Sequence, residues 1–233
     1  MSHQYLFYID RVDQQNGIVL FDAEESHHIT NVLRKADGSR IEATDGRGWK
    51  YAIQLDATQP KRCKGIILEK QFIEMDAPLP VQIGIPCLKG DRWQTIVEVS
   101  AEIGVSAICP LEFEQAQVQW SEAKLEKARR KAREALKQSG GCYLTGITEP
   151  FTLHRAVSRD DFSRVYYADS EGEPLGSIEP QSLLVIGPEA GFSARESRLL
   201  MDAGARRFSL GHRRLRSEVA AIAAVAQAQQ QFK

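Results

Sequence analysis

No run of apolar residues in this 233-residue chain is long enough to span a bilayer, so no membrane partner is expected. The opening stretch MSHQYLFYID has no basic segment followed by a long apolar one. That pattern predicts no secretory signal and makes the cytoplasm the default compartment. Cysteine is scarce. Cys63, Cys87, Cys109 and Cys142 form no C-x-x-C pair, and the five histidines add no zinc spacing, so no metal is expected. The four thiols read as buried side chains in a reducing compartment. Neither sign of charge is in excess: 30 Lys and Arg stand against 31 Asp and Glu, for a net charge of -1. A polycation is excluded, and a nucleic-acid partner would have to be held by local basic patches. There is no Gly-Lys-Ser/Thr phosphate loop, no dinucleotide glycine pattern, no internal repeat and no low-complexity tract.

Two rhythms are present. Residues 1–74 alternate short apolar runs with glycine turns. GIVLF and KGIILEK read as strands, and SRIEATDGRGWKYAIQLD reads as two strands around the turn Asp45-Gly46-Arg47-Gly48. Between them, EESHHITNVLRKADG predicts a short helix with Ser26 as N-cap, Ile29, Val32 and Leu33 on one face, and an end at Gly38. Several strands with one helix suggest a small β-barrel. MDAPLP, residues 75–80, reads as a linker. From 81 to 233 strands and helices alternate. VQIGIPCL, VSAICPLEF, RVYYAD, LLVIGP and RRFSLG are strands. DRWQTIVEVSAEIG, with Trp93, Ile96, Val97 and Ser100 on one side, is a helix, as are SEAKLEKARRKAREALKQSG, SARESRLLMDAG and the Ala-rich SEVAAIAAVAQAQQQF. This alternation predicts an α/β domain with a mostly parallel sheet.

Ligands of open α/β sheets bind beyond the carboxyl ends of strands. Two strand ends here share one design: an apolar strand, a glycine, a polar loop, a helix. In LLVIGPEAGFSARE, Ser193 and Glu196 form a capping box, Gly187 and Gly191 allow close backbone approach, and Pro188 fixes φ. Glu189 either is solvated in a tight turn or meets a ligand. In FSLGHRRLRSE, Arg213, Arg214 and Arg216 crowd a strand end, which suits phosphate or nucleic-acid contact, and Ser217 and Glu218 suit a helix start. The small residues of the last helix suit tight packing either within its own fold or against a second subunit.

IGPEAGF at 186–192 followed by LGHRRLRSEVA at 210–220 resembles the loop pair of the RsmE family of SPOUT-class RNA methyltransferases. SHHITNVLRKADGSRIEATDGRG, CLKGDRWQTIVEVSAEIGVSAICPL and EALKQSG resemble further family segments, so the likeness covers most of the chain. Ala190 stands where a second glycine is usual, Val219 where threonine is, Glu98 where lysine is common, and Lys137 where glutamate is.

The resemblance implies a C-terminal SPOUT domain with a trefoil knot, preceded by a small PUA-like β-barrel. It implies methylation of N3 of a uridine in 16S ribosomal RNA with S-adenosylmethionine as cofactor. The partner would be the rRNA or the small ribosomal subunit, and the working form a homodimer. The cofactor walls would come from Ile186, Gly187, Pro188, Glu189 and Gly191 on one side, Leu210, Gly211 and Leu215 on the other, with a backbone contact from Ala168. Arg216 would stabilise the uracil anion, and Glu218 or Glu189 would act as base or orient the arginine. Arg34, Lys35, Arg40 and Arg47 on the barrel, with Arg213 and Arg214, would contact RNA. A rival is an RNA-binding protein of the same fold that either lacks methyl transfer or acts on a different RNA target.

Overall fold

The computed structural model describes residues 5–59, 61–158 and 160–232, so the first four residues of the opening stretch and the last residue lie outside it. The chain divides into two compact units. One takes the chain up to residue 77 together with residues 133–144, and the other takes residues 78–132 with 145–233.

The first unit holds strands β1 (Leu6–Tyr8), β2 (Arg11–Asp13) and β3 (Ile18–Leu20), helix α1 (Ala23–His27), then β4 (Arg40–Thr44), β5 (Trp49–Asp56) and β6 (Lys64–Phe72). The strand order is β1-β4-β5-β6-β3-β2, with β1 parallel to β4 and every other pair antiparallel. Its two edge strands are consecutive in the chain. Between them the Ile9 N–H donates to the Thr44 carbonyl (2.8 Å) and the Asp10 N–H to the Leu20 carbonyl (3.1 Å). Two adjacent residues thus bond β4 and β3, the strands next to the two edges, which curls the sheet into a barrel. Phe7, Val19, Ile29, Ala43 and Ile53 fill it.

Three expectations for this unit are corrected. The N-cap of α1 is Asp22, whose carboxylate accepts from the Glu25 N–H at 2.7 Å. Ser26 is buried inside the helix, where its hydroxyl accepts from the Cys63 N–H at 3.0 Å. The helix continues as one π-helical turn, His28–Val32, and stops well short of Gly38. The wider turn leaves Val32 59% exposed while Ile29 is fully buried. Residues 133–144 complete the unit through a buried ion pair, Lys137 Nζ to Glu25 at 2.7 Å, and through the Gly48 N–H donating to the Cys142 carbonyl at 2.8 Å.

The second unit holds β7 (Leu79–Pro86), α2 (Arg92–Ile103), β8 (Val105–Glu112), α3 (Glu122–Ser139, whose last turns belong to the first unit), β9 (Gly146–Ile147), β10 (Phe151–Thr152), α4 (Leu153–Val157), β11 (Val165–Pro174), β12 (Ser182–Val185), α5 (Ala194–Asp202), β13 (Arg206–Ser209) and α6 (Ser217–Phe232). The sheet order is β10-β8-β7-β12-β11-β13, with β9 on β8, and every pair is parallel. Of the stretch 75–80, Leu79 and Pro80 are already strand. Helix α2 buries Trp93, Ile96, Val97 and Ser100 and ends at Gly104, whose φ is 89°. In α6 Ala221, Ala224, Val225 and Ala228 are buried, so its small residues pack closely within its own fold, where α2 lies against it.

All four cysteines are buried thiols outside any disulfide, and burial pushes the Cys63, Cys87 and Cys142 thiols up. A raised pKa leaves little thiolate near neutral pH, and thiolate is the nucleophile. The folded protein at pH 7.5 is therefore expected to take up no iodoacetamide in the time that fully labels the urea-unfolded chain. Rapid labelling without denaturant, read by mass spectrometry, would contradict this.

Candidate functional site

A cavity of about 460 Å³ opens beyond the carboxyl ends of β12 and β13. Strand β12 runs on through Ile186, whose N–H donates to the Gly84 carbonyl of β7 at 2.9 Å. The chain then turns at Pro188–Gly191, closed by the Gly191 N–H on the Pro188 carbonyl at 2.9 Å. Gly191 has φ 80°, which favours glycine. Ala190 does not: among described residues only Arg34 and Gln181 are non-glycines with positive φ. Alanine is therefore unstrained at the position where the resemblance leads one to expect glycine, and it does not line the cavity. Ser193 then caps α5 through the capping box with Glu196.

The facing loop leaves β13 through Leu210 and Gly211 (φ 111°) and enters α6. Ser217 does not cap that helix. Its hydroxyl donates to the Gly187 carbonyl at 2.8 Å and so ties the two loops together. A third wall comes from β11. Ala168 and Glu173 both pair with Phe208 of β13, so residues 169–172 loop out as a wide bulge that brings Asp169 and Ser170 to the cavity.

Ala168, Ile186, Gly187, Pro188, Glu189, Gly191, Leu210, Gly211 and Leu215 all line this one cavity, as do Arg213, Arg214 and Arg216. At Gly191 and Gly211 a Cβ would meet no protein atom within 4 Å, so bare backbone faces open space. Such bare backbone among apolar side chains suits a ligand with both apolar and hydrogen-bonding parts, and the volume lies in the usual range for cofactor pockets. Phe192 packs edge-on against Tyr167 beneath the loop, and burial pushes the Tyr167 phenol up.

Glu218 does not line the cavity. It turns toward Arg92, the first residue of α2, whose Nη1 lies 3.8 Å from Glu218 Oε2. The other arm of the same guanidinium donates to Glu189. Arg214 donates to the Glu189 carbonyl at 2.8 Å, while Arg216 is exposed and makes no ion pair among the described residues. Arg92, Asp169, Ser170 and Phe192 were not anticipated. The signal for Arg92 was its place, directly after a strand end and at a helix start, as in the other two loops.

On the first unit Arg34, Lys35, Arg40 and Arg47 are exposed. Arg40 pairs with Glu69 at 3.2 Å on an open surface, a contact of little energetic weight. Among the described residues no three His, Cys, Asp or Glu side chains are grouped to hold a metal ion, and no helix is long and apolar enough to cross a membrane. A second cavity, about 820 Å³, lies beside β8 and β10, but its cations are already paired, Arg195 with Glu114 and Arg198 with Asp202.

A family model described as an RNA methyltransferase domain matches residues 75–229, and one described as an RNA methyltransferase PUA domain matches residues 21–68. The Ribosomal RNA small subunit methyltransferase E of Bacillus subtilis is 26% identical over 219 residues, which cover 87% of this chain and 86% of its own. The Ribosomal RNA small subunit methyltransferase E of Neisseria gonorrhoeae, solved bound to S-adenosyl methionine, matches with a TM-score of 0.88 at 25% identity over 99% of this chain and 98% of its own. A Legionella pneumophila chain solved with bound SAM matches with a TM-score of 0.89 at 25% identity over 98% of each chain.

Proposed function

The chain belongs to the RNA methyltransferase family whose model spans residues 75–229, and from that premise we propose that it methylates N3 of a uridine in 16S ribosomal RNA, with S-adenosylmethionine as donor. The observation that carries the reading is the single cavity shared by the two glycine loops and tied by Ser217 to Gly187. The relatives named for small-subunit rRNA methylation, one of them solved with the cofactor, support the substrate and the donor.

When bound, S-adenosylmethionine supplies a methyl group already activated on a sulfonium, so the protein has to bind, orient and stabilise. Ile186, Leu210 and Leu215 provide apolar walls. Gly191 and Gly211 offer backbone groups that no side chain covers, and Gly187 and Ala168 add further backbone at the cavity wall. A uracil N3 carries an imide proton, and negative charge develops on the base as it leaves. Arg216, exposed at the cavity rim and free of ion pairs, is the cation we assign to that charge. Glu189, which lines the cavity, accepts the proton or orients an arginine, whereas Glu218, outside the lining, orients Arg92. Arg213 and Arg214, and on the barrel unit Arg34, Lys35, Arg40 and Arg47, bind the phosphate backbone and position the RNA without reading its sequence. The same reading gives the second unit, residues 78–132 with 145–233, the trefoil knot of SPOUT enzymes, a homodimer as the working form, and the cytoplasm as its compartment.

Deleting the gene and mapping 16S rRNA by mass spectrometry tests this directly. Loss of one N3-methyluridine, restored by the intact gene, is the expected result. An unchanged map, with the purified protein still binding rRNA but no S-adenosylmethionine in calorimetry, would instead identify an RNA-binding protein without methyl transfer.

A further inference from the structure

Arg92 touches two of the three structural features that build the cavity, yet it comes from neither. It stands at the start of α2, beyond the carboxyl end of β7. One arm of its guanidinium donates to Glu189 in the loop after β12, and the other faces Glu218 in the first turn of α6, 3.8 Å away. Glu218 is partly buried: its side chain is 12% exposed, and its Oε2 is buried with no hydrogen-bond partner. A carboxylate in that position needs a facing cation, and Arg92 is the cation that faces it. Without Arg92, Glu189 and Glu218 would lose the one side chain that pairs with both among the described residues.

The shape of the side chain matters as well as its charge. A guanidinium is a planar fork that can serve two acceptors in fixed directions, whereas a lysine ammonium is a point charge on a flexible stem. Here one arm hydrogen-bonds Glu189 and the other faces Glu218 as an ion pair at 3.8 Å, so the guanidinium links the loop that carries Gly187–Gly191 to the helix start that follows Arg213–Arg216. We propose that Arg92 is a positioning residue for methyl transfer, holding the two cofactor loops in register through Glu189 and Glu218. This rests on the function proposed above for the same cavity.

The test compares Arg92→Ala and Arg92→Lys with the unaltered protein. Three quantities are measured: melting temperature, the Kd for S-adenosylmethionine by calorimetry, and kcat and KM for methylation of small-subunit rRNA. Arg92→Ala is expected to weaken cofactor binding about 10-fold and to lower kcat about 10-fold, the scale of losing a charge-assisted hydrogen bond at each step. KM for RNA should stay within about 3-fold, because Arg92 contacts protein carboxylates and not the phosphate backbone. Arg92→Lys should restore the melting temperature but neither the affinity nor kcat, because it returns the charge without the fork. A residue that merely pins α2 would behave differently: lysine would restore all three together, and that result overturns the proposal. So would a folded Arg92→Ala protein with unaltered Kd and kcat. If Arg92→Ala fails to fold, the Arg92→Lys comparison decides alone. A wild-type protein that binds the cofactor but methylates no rRNA defeats the rRNA reading and leaves Arg92 to be judged on Kd. Wild-type protein that binds no cofactor defeats both.

Discussion

Gly172→Ala is expected to force β11 away from β13 and to open the cofactor cavity on its third side. A Cβ at residue 172 would lie 2.5 Å from the carbonyl carbon of Phe208 and 2.8 Å from its Cα and N. These are backbone atoms, so no rotamer change relieves the overlap. The strands must part or the bulge must move. Phe208 pairs with both ends of that bulge, Ala168 and Glu173, and Asp169 and Ser170 within it line the cavity. Overpacking of this kind costs about 1–3 kcal/mol, and a chain of this length loses about 2–4 °C of melting temperature per kcal/mol. The loss of cofactor affinity should exceed what reduced stability explains, since the displaced residues are the wall itself. Differential scanning fluorimetry and calorimetry check both. An alanine variant that melts and binds like wild type would mean that the bulge moves freely and shapes nothing.

Lys137→Met should destabilise the barrel unit more strongly still, for a different reason. Lys137 and Glu25 form an ion pair at 2.7 Å with side chains only 10% and 4% exposed. One oxygen of Glu25 also accepts from the Tyr8 N–H at 3.1 Å, so the carboxylate cannot simply rotate out to water. Removing one partner of a buried pair leaves an uncompensated charge, at a cost of about 3–5 kcal/mol, whereas replacing both partners by apolar residues is often nearly neutral. Urea melts of Lys137→Met and of Glu25→Leu/Lys137→Met should therefore differ, with the double variant the more stable of the two. Equal stability of wild type and the single variant would show that the pair contributes nothing. The same geometry accounts for lysine where the resembling family carries glutamate: here the acid is supplied by α1 and the base by α3.

What could be read from the residues followed from periodicity and capping chemistry. Helix α2 buries the four side chains that its spacing singles out, and Ser193 and Glu196 cap α5 as their motif requires. The two glycine loops were legible because each carries its full pattern within a dozen residues. The errors arose where two similar residues competed for one role. Asp22 and Ser26 are both good N-caps; Asp22 takes the role, and the Ser26 hydroxyl serves the Cys63 N–H instead. Ser217 is likewise drawn from its helix by a carbonyl thirty residues back. For Arg92 the sequence offers only its place after a strand end and at a helix start; its carboxylate partner Glu189 lies 97 residues on, and no local pattern connects them. Gly172 resembles an ordinary turn glycine until the strand it must lie against is known. Between residues 141 and 164 the chain carries no sustained apolar period, and β9, β10 and α4 there are too short to have produced one.

The barrel unit is written in two places in the chain, and this limits how it could be inherited. A gene segment ending at residue 77 encodes all six strands but lacks residues 133–144. Its product would leave Glu25 without Lys137, Asp22 without Arg133, and the Gly48 N–H without the Cys142 carbonyl. A single recombination crossover therefore cannot exchange this barrel as a cassette. Any descendant that acquired a foreign barrel would also have to acquire, or re-evolve, a matching stretch in the middle of the domain that follows.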